Sequence, residues 1–167
     1  MVQVKILNSD YFLLLGVEKV FHVDLELLEG NYIKLSKGFH PDLYYLKKEK
    51  FIASENMAYI HRAYRVLKSP LERAEYLFQI FGVKDINNRL CPEILSESME
   101  IRESILHSKT LDSTNRIINK KIKDCTEDLS NAFDTKNLDK AVQHYLRLKY
   151  LDKALKEVQE DAANTNF

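Results

Sequence analysis

The sequence predicts an all-α chain: an N-terminal unit built round a helical hairpin, followed by a three-helix bundle. Three observations carry this. Four glycines and three prolines in 167 residues fall well below the roughly 12% of average usage, too few turn formers for a β-sandwich or a dinucleotide fold. With 45% hydrophobic and 30% charged residues, the chain can bury one core or two small ones. In each long segment the apolar positions recur at spacings of three and four, the period of one helical face.

Asp10 caps a short helix carrying Phe12, Leu13 and Leu15, and Gly16 supplies the left-handed residue that ends it. Asp24 caps a longer helix whose buried face is Leu28, Tyr32, Leu35 and Phe39. Pro41 disfavours α conformation at His40, so this helix finishes near Phe39. The polar run Lys47, Lys48, Glu49 and Lys50 reads as loop, after which Ala53, Met57, Ile60, Tyr64 and Leu67 mark a second long helix. Two such stripes pack antiparallel across the loop. Ser69-Pro70 opens a further helix with cap and first-turn proline; Leu71, Ala74, Leu77, Phe78 and Phe81 are its apolar side, and Gly82 stops it. This closes a first domain, 1–82. A linker, 83–91, contains Asn87-Asn88 and leads to Pro92, another first-turn proline. The second domain, 92–167, reads as three helices near 92–107, 113–134 and 138–162. Ile118, Ile122, Cys125, Leu129 and Phe133 lie on one face of the middle helix; Leu138, Val142, Tyr145, Leu148, Leu151, Leu155 and Val158 lie along the last.

Function classes fall away on charge and spacing. Basic and acidic residues number 25 each, so no global field exists to hold a nucleic acid. The most apolar run, Tyr11 to Val17, is far shorter than the roughly 20 residues that span a bilayer, and Asp10 precedes it where a signal peptide is basic. No membrane association is expected. Cys91 and Cys125 lack CxxC spacing, which excludes a disulfide scaffold, gives no zinc motif and fits a reducing compartment. The histidines at 22, 40, 61, 107 and 144 include no pair three or four apart, and the scattered glycines assemble no phosphate-cradling loop. Carboxylates lie along every helix and read as solvated faces. The expectation is a protein without a catalytic site, metal or cofactor.

One tripeptide stands apart, His40-Pro41-Asp42, between the two long helices. By itself it reads equally as a helix stop and turn, and a helical adaptor stays open. Its setting is more specific. A short helix with the string DYFLLLGV, a lysine-bearing second helix, Phe39 just before the tripeptide and a long third helix together resemble the J-domain of DnaJ-type co-chaperones. The likeness continues through the segment SPLERAEYL at 69–77, MEIRE at 99–103 and RLKYLDK at 147–153, and there the chain is similar to the HscB family, J-domain co-chaperones of iron–sulfur cluster assembly.

The resemblance implies two partners. One is a DnaK-type, HscA-like ATPase chaperone, met by His40, Pro41, Asp42 and the basic face of Lys34 and Lys37, with its ATP hydrolysis stimulated by the loop. Asp42 offers an acceptor to a partner arginine, Pro41 fixes the loop outward, and His40 donates from one nitrogen while the other holds the loop. The other is the cluster scaffold protein, IscU-like, held by Leu95, Ser96, Met99, Glu100, Glu103, Lys149 and Tyr150. From periodicity alone a wide core stripe absorbs Leu95, Met99 and Tyr150; the resemblance places them on a binding face instead. Two positions depart from the family pattern: Leu43 stands where a basic residue usually follows the tripeptide, leaving Lys47 and Lys48 as replacements, and Ser96 stands where an apolar residue is usual. A general J-protein would carry glycine-rich or cysteine-rich substrate regions, which this sequence lacks. Some eukaryotic relatives carry a cysteine-rich extension and a presequence; the expectation here is a bacterial cytoplasm.

Overall fold

The computed structural model describes residue 6 and residues 9–89, 92–107 and 111–165, apart from the side chains at 98, 102, 104–107, 111–114, 158 and 161–165. Its regular structure is helical, and no strand occurs among the described residues. The helices are α1 (Tyr11–Leu14), α2 (Leu25–Gly38), α3 (Lys47–Lys68), α4 (Pro70–Ile80), α5 (Pro92–His107), α6 (Leu111–Asp134) and α7 (Leu138–Thr165). Two 3₁₀ turns, Pro41–Leu43 and Ile86–Arg89, stand in segments that read as plain loop.

The caps follow the sequence. Asp10 accepts from the Phe12 amide at 2.9 Å, and Asp24 from those of Glu26 and Leu27 at 3.0 Å each. Gly16 and Gly82 take φ of 61° and 71°, where a side chain would be strained. The Ser69 hydroxyl accepts from the Glu72 amide at 3.4 Å, opening α4 at Pro70. One expectation is corrected: Lys47, Lys48, Glu49 and Lys50 form the first turn of α3 rather than loop. That turn has no apolar member on the buried face, so periodicity cannot register it.

Packing divides the chain into two compact units, Met1–Leu77 and Phe78–Phe167. The sequence places the first domain's end at 82; by packing, the division falls inside α4, because the rings of Phe78 and Phe81 lie 5.1 and 6.3 Å from that of Phe133, and Phe78 lies 5.6 Å from Tyr145.

In the first unit α2 and α3 form the hairpin. Leu28, Ala53, Ile60, Ala63 and Leu67 are buried, whereas Met57 and Tyr64 of the expected stripe are half-buried. Tyr32 stacks on Tyr64 with ring centres 4.1 Å apart, and its hydroxyl lies 2.8 Å from His61 Nδ1. Arg73, read only as part of a motif, is 5% exposed. Its guanidinium donates to the Leu67 carbonyl near the end of α3 and sits 5.0 Å over the Phe21 ring. Burial lowers its pKa to about 10, and the bond to a C-terminal carbonyl offsets part of that desolvation cost.

In the second unit α7 packs on both α5 and α6. Ile118, Cys125, Leu129 and Phe133 meet Ala141, Val142, Tyr145, Leu148 and Leu151, with Ile94 and Ile101 of α5 completing the core. Ile122, Leu138 and Leu155 are half-buried, while Val158 falls outside the described side chains. Lys136 at φ 55° turns the chain from α6 to α7, and the Asn137 carboxamide caps α7 by accepting from the Lys140 amide at 3.1 Å.

Candidate functional site

The hairpin ends in a fixed corner. The Phe39 amide donates to the Leu35 carbonyl at 3.1 Å, closing α2 one residue before His40. His40 takes the extended conformation required ahead of a proline, φ −66° and ψ 128°, and Pro41 occupies the first turn position. The Leu43 amide then donates to the His40 carbonyl at 3.0 Å, and that of Tyr44 to the Pro41 carbonyl at 3.2 Å. The Tyr44 hydroxyl reaches back to the Gly38 carbonyl at 3.3 Å and ties the turn to α2.

Within this corner the Asp42 amide donates to His40 Nδ1 at 3.3 Å. The His40 side chain is 54% exposed and that of Asp42 85%. A carboxylate and an imidazole nitrogen are thus presented to solvent on a short, internally bonded turn, which suits an incoming cation and acceptor rather than substrate turnover. Lys34 and Lys37 are exposed on α2, and Lys47 and Lys48 on the first turn of α3.

The bundle carries the second group. On α5, Ile94, Glu97 and Ile101 turn toward α7; with Arg147, Tyr150, Leu151 and Ala154 they line a shallow pocket. Leu95, Ser96, Met99, Glu100 and Glu103 lie on the other side of α5 and are exposed, Leu95 by 47% and Met99 by 62%. The wide core stripe that periodicity favours is therefore absent at these positions. Tyr150 is half-buried at the rim of the pocket. Lys149 projects about 100° round α7 from it and donates to the Asn87 carboxamide at 3.3 Å, which ties it to the 3₁₀ turn before α5.

An ion cluster unseen in the sequence supports this face. Glu97 of α5 accepts from Arg147 of α7 at 2.6 Å and from Lys121 of α6 at 3.1 Å. Burial opposes ionisation of Glu97, but the two cations together outweigh it and hold its carboxyl below the ordinary glutamate range. No spacing rule connects positions 97, 121 and 147; only the bundle brings them together. Cys125 is buried and its thiol donates to the His144 carbonyl at 3.1 Å. Burial pushes that thiol up to about 11. Cys91 lies outside the described residues, among which no group of three His, Cys, Asp or Glu could hold a metal ion. No helix among them is long and apolar enough to cross a membrane.

A helical hairpin that ends in an exposed His-Pro-Asp corner, in a chain that also carries a three-helix bundle, defines a J-domain co-chaperone. Residues 90–159 match the family model described as the HSCB C-terminal oligomerisation domain. The chain is 34% identical over 159 residues to the iron-sulfur cluster co-chaperone protein HscB homolog of Arabidopsis thaliana, a match covering 90% of this chain and 63% of that one. It thus spans less than two thirds of the plant relative's length. To the co-chaperone protein HscB homolog of Neisseria meningitidis it is 32% identical over 165 residues, covering 90% of this chain and 97% of the relative. Among solved structures, the chaperone HscB from Vibrio cholerae matches with a TM-score of 0.82 at 28% identity, over 94% of this chain and 99% of that one. The chain belongs to the HscB family of iron–sulfur cluster co-chaperones. Its relatives are named co-chaperones, not enzymes.

Proposed function

We propose that this chain captures the iron–sulfur scaffold protein, IscU-like, on its bundle and delivers it to an HscA-like ATPase chaperone, whose ATP hydrolysis it stimulates through the His40-Pro41-Asp42 corner. In this reading 1–82 is the J-domain, 83–91 the linker and 92–167 the scaffold-binding bundle, the chain has no catalytic site of its own, and its setting is a reducing bacterial cytoplasm. The observation that carries the reading is the corner itself: an outward carboxylate and an imidazole pinned through Nδ1, on a turn bonded internally at 3.0 and 3.2 Å. A group built to dock needs this preorganisation, because ordering a free loop on contact would cost affinity.

Lys34 and Lys37 supply attraction toward an acidic chaperone surface, a contribution that weakens with salt. In this reading the scaffold is held by Leu95, Ser96, Met99, Glu100 and Glu103 on the outer side of α5, together with Tyr150 and Lys149 on α7. An exposed methionine rimmed by charge suits a partner that must leave again. The deciding experiment is single-turnover ATP hydrolysis by the chaperone with wild-type chain and with His40→Gln. Stimulation by the wild type and none by the variant is expected; equal stimulation by both refutes the role of the corner.

A further inference from the structure

Beyond the tripeptide the chain displays apolar side chains that neither its core nor the proposed lysine contacts use. Leu43 is 59% exposed, Tyr45 96%, Leu46 63% and Phe51 64%, all between positions 43 and 51. Single exposed hydrophobics are ordinary on a protein surface; three large ones between the corner and α3, with a fourth in the second turn of α3, are a concentration that marks an interaction site. The run begins at the residue after Asp42, and Leu43 is held to the corner by its own amide, bonded to the His40 carbonyl at 3.0 Å. Leu43 is thus the next residue on the same bonded turn as Asp42, within reach of a surface that receives the Asp42 carboxylate. Lys47 and Lys48, both exposed, interrupt the run at the start of α3, so its complement is apolar with acid groups at the border.

We propose that Leu43, Tyr45, Leu46 and Phe51 form an apolar docking patch continuous with the His-Pro-Asp corner, and that its occupant is an apolar depression with an acidic border on the ATPase chaperone. The inference rests on the chaperone-docking reading above and adds to it a contact that salt does not screen. Aromatic side chains at the centre of such a contact carry most of its energy, whereas the lysines steer the approach. The chaperone that matches this chain is thus selected by shape at the patch, in addition to charge along α2.

The test uses the full chain and the purified DnaK-type chaperone of the same organism, with single-turnover ATP hydrolysis titrated against co-chaperone between about 50 and about 500 mM KCl. Five proteins are compared: wild type, Tyr45→Ser/Phe51→Ser, Tyr45→Phe, Lys34→Ala/Lys37→Ala and His40→Gln. The patch variant is expected to need about tenfold more protein for half-maximal stimulation at every salt concentration, with the maximal rate retained and the helical circular dichroism unchanged. The lysine variant is expected to differ from wild type only at low salt, and Tyr45→Phe to behave as wild type. A patch variant that titrates like wild type while His40→Gln is inert overturns the patch and leaves the corner standing. If wild type and His40→Gln both fail to stimulate, the docking reading falls and the patch falls with it. Patch-dependent co-sedimentation with phosphatidylglycerol vesicles, or patch-dependent self-association in sedimentation velocity, with stimulation unaltered, would assign the surface to a lipid or to a second copy and likewise overturn the proposal.

Discussion

His40 and Asp42 are bonded to each other across a proline: the Asp42 amide donates to His40 Nδ1 at 3.3 Å, and the Asp42 carboxylate stands 3.5 Å from the same nitrogen. A ring nitrogen that accepts from an amide carries no proton in the neutral ring, so the proton resides on Nε2, which is free to donate outward. The tripeptide is thus one small structure rather than three independent side chains.

From this coupling, Pro41→Ala should impair the corner without touching either functional group. Releasing φ at position 41 gives the turn freedom that it must lose on docking. The expected result is a several-fold rise in the co-chaperone concentration needed for half-maximal ATPase stimulation, with folding stability changed by less than about 1 kcal/mol. An ATPase titration paired with a urea melt checks both. Unchanged stimulation would show that the proline does not preorganise the loop.

The Glu97 cluster predicts a pH dependence of stability. With its folded pKa below the ordinary glutamate value, Glu97 contributes stability that is present above that ordinary value and is lost as pH falls through the folded one. Glu97→Gln should therefore lower stability at neutral pH, by about 1 kcal/mol after allowing for solvent screening of a partly exposed group, and the difference from wild type should shrink below about pH 4. Urea unfolding at several pH values reads it directly. A difference that stays constant down to pH 3 would exclude the ion cluster as its source.

Scaffold affinity should respond differently to substitutions on α5 and on α7. Met99 is 62% exposed, so Met99→Ala should weaken binding while leaving the melting temperature within a degree or so. Tyr150 lines the pocket with Ile94 and Leu151, so Tyr150→Ala should weaken binding and also cost the bundle about 1–2 kcal/mol. Titration calorimetry with the scaffold protein, beside thermal melts of each variant, separates the two effects. Unaltered affinity in both variants would remove these residues from the site.

Cys125 should be chemically silent in the folded protein. Its thiol is buried, bonded to the His144 carbonyl and pushed up to about 11, so little reactive thiolate exists near neutral pH. Iodoacetamide at pH 8, followed by mass spectrometry of the Cys125 peptide, should give negligible labelling until denaturant is added. Rapid native labelling would contradict the packing of α6 against α7.

Much of the architecture is legible along the chain because its causes are local. Asp10, Asp24 and Ser69 cap the helices that follow them, Gly16 and Gly82 take the left-handed conformation at stops, and Pro41, Pro70 and Pro92 mark a corner and two helix starts. Each depends on neighbours within a few residues. The first turn of α3 was not legible, since solvent-facing lysines carry no periodicity.

Of the candidate site, the His40-Pro41-Asp42 motif could be read directly, being three consecutive residues, while the bond that pins its ring could not. Which side of α5 faces solvent is decided by α7: Ile94 and Ile101 turn inward and Leu95 and Met99 outward, though all four are apolar. The meeting of Glu97, Lys121 and Arg147, the tie of Lys149 to Asn87 and the burial of Arg73 over Phe21 are likewise properties of packed helices. Caps and turns are set by the chain's short-range stereochemistry, whereas ion clusters and exposed faces exist only once distant segments have come together and excluded water.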